Sequence, residues 1–228
     1  MGFFRGPNTV RDGLVFVLDA GNIRSYIGSG GSAVDLVSKL NATLSHEAIG
    51  TTSPGSFVFN GSSNKISFEL GDPFDAPFTL EVFWKTDAAT RAAYEYTAKI
   101  GSETGVANTV ASISKTTIGY GGGDGIMYSY DGTTPRDGPS IATTEWYHGI
   151  LVCNTGSPYL EFYLNGVAET IANTTAAINT NGSMTIGVWN TTWWLDGQIP
   201  LVRVYNKSLT ALEVLQNYDA TKTRFNLE

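Results

Sequence analysis

The chain has 228 residues, 42% hydrophobic and only 15% charged, which describes an ordered globular protein with a sizeable core and excludes a disordered tail. Its formal net charge is −7, and no cluster of Lys and Arg offers the basic face that nucleic acid or an anionic membrane surface requires. A single cysteine, Cys153 in the apolar run Ile150-Leu151-Val152-Cys153, excludes an intrachain disulfide and reads as a small buried hydrophobe.

Residues 1–12 lack periodicity, so they are expected to be either a frayed end or an arm that docks on a neighbour. The opening stretch has no apolar run of the signal-peptide kind, and no segment approaches the ~20 apolar residues of a membrane span. Residues 13–19 are nearly all apolar, as in a strand covered on both faces. Residues 57–59 lead into the turn pair Asn60-Gly61. Residues 65–70 alternate, with Ile66, Phe68 and Leu70 on one side. Residues 78–85 set Phe78, Leu80, Val82 and Trp84 against Thr79, Glu81, Phe83 and Lys85.

Further strands are expected over 96–100, 106–114, 126–130, 146–153, 159–164, 184–189 and 199–205. Asp-Gly or Asn-Gly pairs begin at 124, 131, 137, 165, 181 and 196 and supply the positive φ of tight turns. Strands at this spacing, with no helical pattern between them, give an all-β sandwich or barrel. Ile199 and Val202 both read as core although their spacing is odd; a bulge at Pro200 reconciles them. One helix is expected over 211–218, opened by the capping box Thr210-Ala211-Leu212-Glu213, with Leu212, Leu215 and Tyr218 on its apolar face.

The residues offer few chemical constellations. His148 alternates with Trp146, Ile150 and Val152, which places it in or under a sheet; His46 is the other histidine. The pair is too small a set for a zinc site. The Gly-rich run 118–125 lacks the Lys-Ser/Thr and the helix of a phosphate loop, and reads as a long hairpin loop. Sugar binding needs exposed aromatic faces with polar neighbours. Tyr128 and Tyr130, on one face beside the Gly-rich loop, and the adjacent Trp193 and Trp194 are the candidates; the alternative for each is a core or subunit-interface aromatic.

The ordered set Leu18-Asp19-Ala20-Gly21-Asn22, Phe57-Val58-Phe59-Asn60-Gly61, Phe78-Thr79-Leu80-Glu81-Val82-Phe83-Trp84, Glu145-Trp146-Tyr147-His148, Leu164-Asn165-Gly166, Ile186-Gly187 and 197–209 resembles the concanavalin A-like lectin/glucanase superfamily, in its laminin-G-like branch. The likeness covers about residues 13–220. It implies a two-sheet antiparallel jelly-roll sandwich with a short C-terminal helix: one domain over 13–228, preceded by the arm 1–12. The ending Gln216-Asn217-Tyr218-Asp219-Ala220, with Arg224-Phe225 after it, is similar to versions found in virion proteins of tailed phages. Glycosidases of this fold carry Glu-x-Asp-x-x-Glu on one strand, and this chain has no such stretch, so no catalytic residue is expected. Related domains often hold calcium at a sheet rim; Asp19, Asp124 and Asp131 are possible ligands, and no calcium site is assigned.

The expected function is a non-enzymatic virion structural protein, a decoration or accessory protein on a phage head or tail. It is expected to form a homo-oligomer and to contact other virion proteins. The alternative is a carbohydrate-binding module that adsorbs to host-surface glycans.

Overall fold

The computed structural model describes residues 8–45, 51–52, 55–71, 74–87, 95–101, 110–116, 126–130, 135–141, 144–169, 176–189 and 193–227; in 51–52, 110, 114–116, 126–130 and 135–140 it describes the backbone alone. Strands are numbered in chain order. The first sheet runs β15 (Val167–Glu169), β14 (Leu160–Leu164), β13 (Trp146–Cys153), β8 (Phe78–Thr86), β18 (Asp196–Tyr205), β5 (Ser56–Asn60) and β4 (Thr51–Thr52), and β1 (Leu14–Asp19) also pairs with β18. The second runs β12 (Pro135–Ser140), β11 (Ile126–Tyr130), β10 (Val110–Thr116), β9 (Glu95–Gly101), β17 (Ser183–Ile186), β6 (Lys65–Glu69), β3 (Asn41–Ser45) and β2 (Ser32–Val34). A small ribbon joins β7 (Phe74–Asp75) to β16 (Asn179–Thr180). The paired strands are antiparallel, and the two sheets form the expected sandwich.

Alternation builds the core between the sheets. Phe78, Leu80, Val82 and Trp84 of β8 meet Ile66, Phe68, Ala98, Ile100, Met184 and Ile186 of the second sheet. In β18 the register jumps from Gln198 opposite Lys85 to Leu201 opposite Phe83, so Ile199 and Pro200 together face one residue of β8. That is the bulge expected at Pro200, and it sends both Ile199 and Val202 into the core. The strands β2 and β3 carry no sequence pattern strong enough to have been expected. Their register is held by the turn at Asp35, whose buried carboxylate accepts from the Val17, Val37 and Ser38 N–H groups.

The helix α1 (Ala211–Thr221) runs into a 3₁₀ turn at Lys222–Phe225. The capping box forms as expected: Thr210 Oγ1 accepts from the Glu213 N–H at 3.3 Å, and Glu213 Oε2 accepts from the Thr210 N–H at 2.9 Å. Of the expected apolar face only Tyr218 is buried. Leu212 is 79% exposed and Leu215 44%, whereas Val214, Asn217, Tyr218 and Thr221 are buried. The reason lies beneath the helix. The outer face of the first sheet presents the Glu81 carboxylate there, and the helix turns the Asn217 amide toward it.

Candidate functional site

Two places among the described residues concentrate polar and aromatic side chains. The first lies between the first sheet and α1. On β8, Glu81 faces away from the core and is wholly buried. Its Oε1 accepts from Arg203 Nη1 at 2.7 Å and from His148 Nε2 at 3.0 Å, and its Oε2 accepts from Asn217 Nδ2 at 2.9 Å. The His148 ring lies between Phe83, with centroids 4.2 Å apart, and Tyr218 at 5.7 Å, both stacked. Burial alone would raise the Glu81 carboxyl, but the Arg203 charge and then the His148 bond outweigh it and hold it below the usual carboxylate range.

The cluster also fixes the start of the chain. Val10 N–H donates to Asn217 Oδ1 at 2.8 Å, Gln216 Nε2 donates to Asn8 O at 2.6 Å, and Lys207 Nζ bonds Asp12 at 2.7 Å. Residues 8–12 therefore pack on this chain's own helix, while 1–7 lie outside the described residues. Closed on all sides and satisfied by a cation, an imidazole and an amide, Glu81 is a structural clamp. His148 is the buried histidine that the alternation implied. Cys153 is likewise buried, and burial pushes its thiol well up.

The second place is the outer face of the second sheet. In β9 the register passes from Ala98 opposite Ile113 to Tyr96 opposite position 114, leaving Thr97 unpaired. Lys99 already points away from the core, and this bulge brings Tyr96 onto the same face. Gly187 then turns the chain after β17. Its N–H donates to Thr97 O at 2.9 Å, and its carbonyl accepts from the Leu195 N–H at 2.9 Å. Val188 bridges Trp194, and Trp189 N–H donates to Trp193 O at 3.1 Å. The tryptophans so placed close on β9: Tyr96 lies 4.7 Å from Trp189 and 5.9 Å from Trp193, the latter pair stacked at 22°. Lys99 Nζ sits 4.9 Å from the Trp189 ring centroid. Tyr96, Trp189 and Lys99 are buried, and Trp193 and Trp194 are partly buried.

The expected residues divide accordingly. Trp193 is part of the aromatic cluster; Trp194 sits beside it in the bridge to Val188. Position 128 pairs with position 114, which pairs with Tyr96, so the backbone of Tyr128 lies in the same cross-strand row; its side chain and that of Tyr130 lie outside the described residues. Tyr96, Trp189 and Lys99 were not expected, because only the bulge at Thr97 brings them together. Of the possible calcium ligands, Asp19 is paired with Arg224 at 2.8 Å, which supplies the positive charge a metal would bring. Asp124 and Asp131 lie outside the described residues, as do His46 and the Gly-rich run 118–125.

Two stacked antiparallel sheets with a polar, aromatic-bearing outer face define a lectin-like jelly roll. A laminin-G family model, described as the concanavalin A-like lectin/glucanases superfamily, matches residues 59–215, and the chain belongs to that family. Among solved structures, it is similar to domain 4 of AbnA, an extracellular arabinanase from Geobacillus stearothermophilus, in complex with arabinotriose. That likeness has a TM-score of 0.62 at 19% identity and covers 90% of this chain and 98% of the other. It is also similar to Trypanosoma rangeli sialidase in complex with the inhibitor DANA, with a TM-score of 0.61 at 14% identity, covering 92% of this chain and 33% of that one. At these identities the likeness is one of fold. No curated protein sequence matches the chain.

Proposed function

We propose that this domain is a non-enzymatic carbohydrate-binding module whose platform is Trp193. The observation that carries the reading is the partly buried Trp193 ring stacked on Tyr96 and braced by Trp189, itself held by Lys99. A rigid aromatic ring with polar neighbours is what the apolar face of a sugar stacks on. Support comes from a relative in fold, the arabinanase domain, whose structure contains arabinotriose. The missing Glu-x-Asp-x-x-Glu pattern and the closed surroundings of Glu81 support a role without catalysis.

A second reading concerns where the module works. The closing segment 216–225, similar in sequence to phage virion proteins, is the part of the chain that clamps helix to sheet. On that likeness we place the domain on a phage particle, as a homo-oligomeric decoration or accessory protein presenting the glycan-binding face to a host surface. Mass spectrometry of purified particles would find the chain there; its absence would sink the placement and leave sugar binding untouched.

A glycan array run with and without calcium tests the binding itself. The wild-type domain is expected to bind, without releasing sugar. Trp193→Ala is expected to weaken binding by about 30-fold, or about 2 kcal/mol, the usual cost of truncating a central aromatic anchor. An unchanged thermal midpoint would show that the variant folds. Equal binding by both proteins, or none by the wild type, would overturn the reading.

A further inference from the structure

The same outer face continues away from Trp193 and ends in a groove. Leu40, Asn41, Thr43, Ser67, Phe68 and Glu69 line a cavity of about 320 Å³ at the β3–β6 end of the second sheet. Strand alternation puts Asn41, Thr43, Ser67 and Glu69 on the outer side, since Ala42, Leu44, Ile66 and Phe68 point into the core. Leu40 is 58% exposed at its mouth. Glu69 Oε1 accepts from Ser183 Oγ on the neighbouring strand at 3.2 Å, which orients the carboxylate.

The register links this groove to the aromatic cluster. Thr43 pairs with Ser67, Ser67 with Thr185, and Thr185 with Lys99, whose ammonium lies against Trp189. The row crosses the strands at right angles. With about 4.8 Å between strands, the three steps from Thr43 to Lys99 span about 14 Å. Before it reaches Lys99 the row carries the short hydroxyl side chains of Thr43, Ser67 and Thr185.

From this placement we propose that the groove is a second subsite for a neutral oligosaccharide that lies across the strands from Trp193 toward Glu69. The inference rests on the glycan-binding reading of Trp193 and adds the direction, the length dependence and the charge of the ligand. Amide, hydroxyl and carboxylate groups around one exposed Leu fit the hydroxyls and the C–H face of a sugar. Glu69 and the net charge of −7 disfavour an anionic chain at this end. Lys99, buried beneath Trp189, does not reverse that.

The test uses immobilised arabino-, xylo-, manno- and galacto-oligosaccharides of two to six units, with sialyl-lactose as the anionic probe. Wild-type protein is expected to bind at least one neutral series, about tenfold more tightly at the long end, the worth of one or two added hydrogen bonds. Thr43→Arg, an exposed strand position, blocks the groove; it should remove that gain and leave binding of the shortest chain intact. Glu69→Gln should keep the fold and reduce the gain a fewfold. Trp193→Ala should weaken binding at every length. Length dependence that survives Thr43→Arg, or binding of sialyl-lactose alone, would overturn the second subsite while leaving the Trp193 platform standing. Absence of all binding would overturn both.

Discussion

Replacing Glu81 with alanine is expected to lower stability by about 3–5 kcal/mol, because it leaves the Arg203 guanidinium without its buried counter-charge. The same change strips the acceptor from His148 Nε2 and leaves Asn217 Nδ2 with the Tyr205 hydroxyl alone, so helix, sheet and the Val10 strap lose their common fastening. Glu81→Gln keeps the shape and loses only the charge, and should recover part of the loss. The double change Glu81→Leu with Arg203→Met should recover most of it, since a well-packed apolar pair can replace a buried ion pair. Urea unfolding of the four proteins checks this; a loss below about 1 kcal/mol for Glu81→Ala would contradict the clamp.

The clamp also sets a pH dependence. The folded-state pKa of Glu81 is lowered from its ordinary value, so its contribution is complete at neutral pH. It is lost as acid protonates the carboxyl through that lower range. Acid unfolding followed from pH 6 downward should therefore be steeper for the wild type than for Glu81→Gln.

Gly187→Ala is expected to be the second costly change, at about 3 kcal/mol, from the sum of backbone strain and forced overpacking. The residue has φ +88°, and a Cβ there would stand 2.2 Å from two ring carbons of Phe59, which is packed in the core. The alternatives to strain are to push Phe59 aside or to lift the 187–195 turn off β9. The first disturbs the core, and the second breaks the bonds from Gly187 to Thr97 and from Leu195 to Gly187, which aim Trp189 and Trp193 at Tyr96. The variant should show a lower thermal midpoint and changed tryptophan fluorescence, and weaker glycan binding where it remains folded. A midpoint within a degree of the wild type would show that the turn is not built as described.

Much of the fold was legible because strand alternation and turn pairs are local signals. β8 reads directly as one face of Phe78, Leu80, Val82 and Trp84 and another of Thr79, Glu81, Phe83 and Lys85. Pro200 and the odd Ile199–Val202 step pointed to the bulge that β18 contains. The helix start was legible in Thr210 and Glu213, but its buried face was not. Hydrophobicity alone favours Leu212 and Leu215, and only a carboxylate brought from another strand explains why Asn217 turns inward. The aromatic site was half legible. The pair Trp193-Trp194 stood out by composition. Tyr96 and Lys99 share a face only because one unpaired residue, Thr97, breaks the alternation, and no local pattern announces a bulge of that kind.

The most direct test of the glycan-binding face is a crystal structure of the domain with the best oligosaccharide from the array. A sugar ring stacked on Trp193, with the chain running over Thr185 and Ser67 toward Glu69, is the predicted result. Density for the sugar on the other sheet, with Trp193 bare, would contradict it.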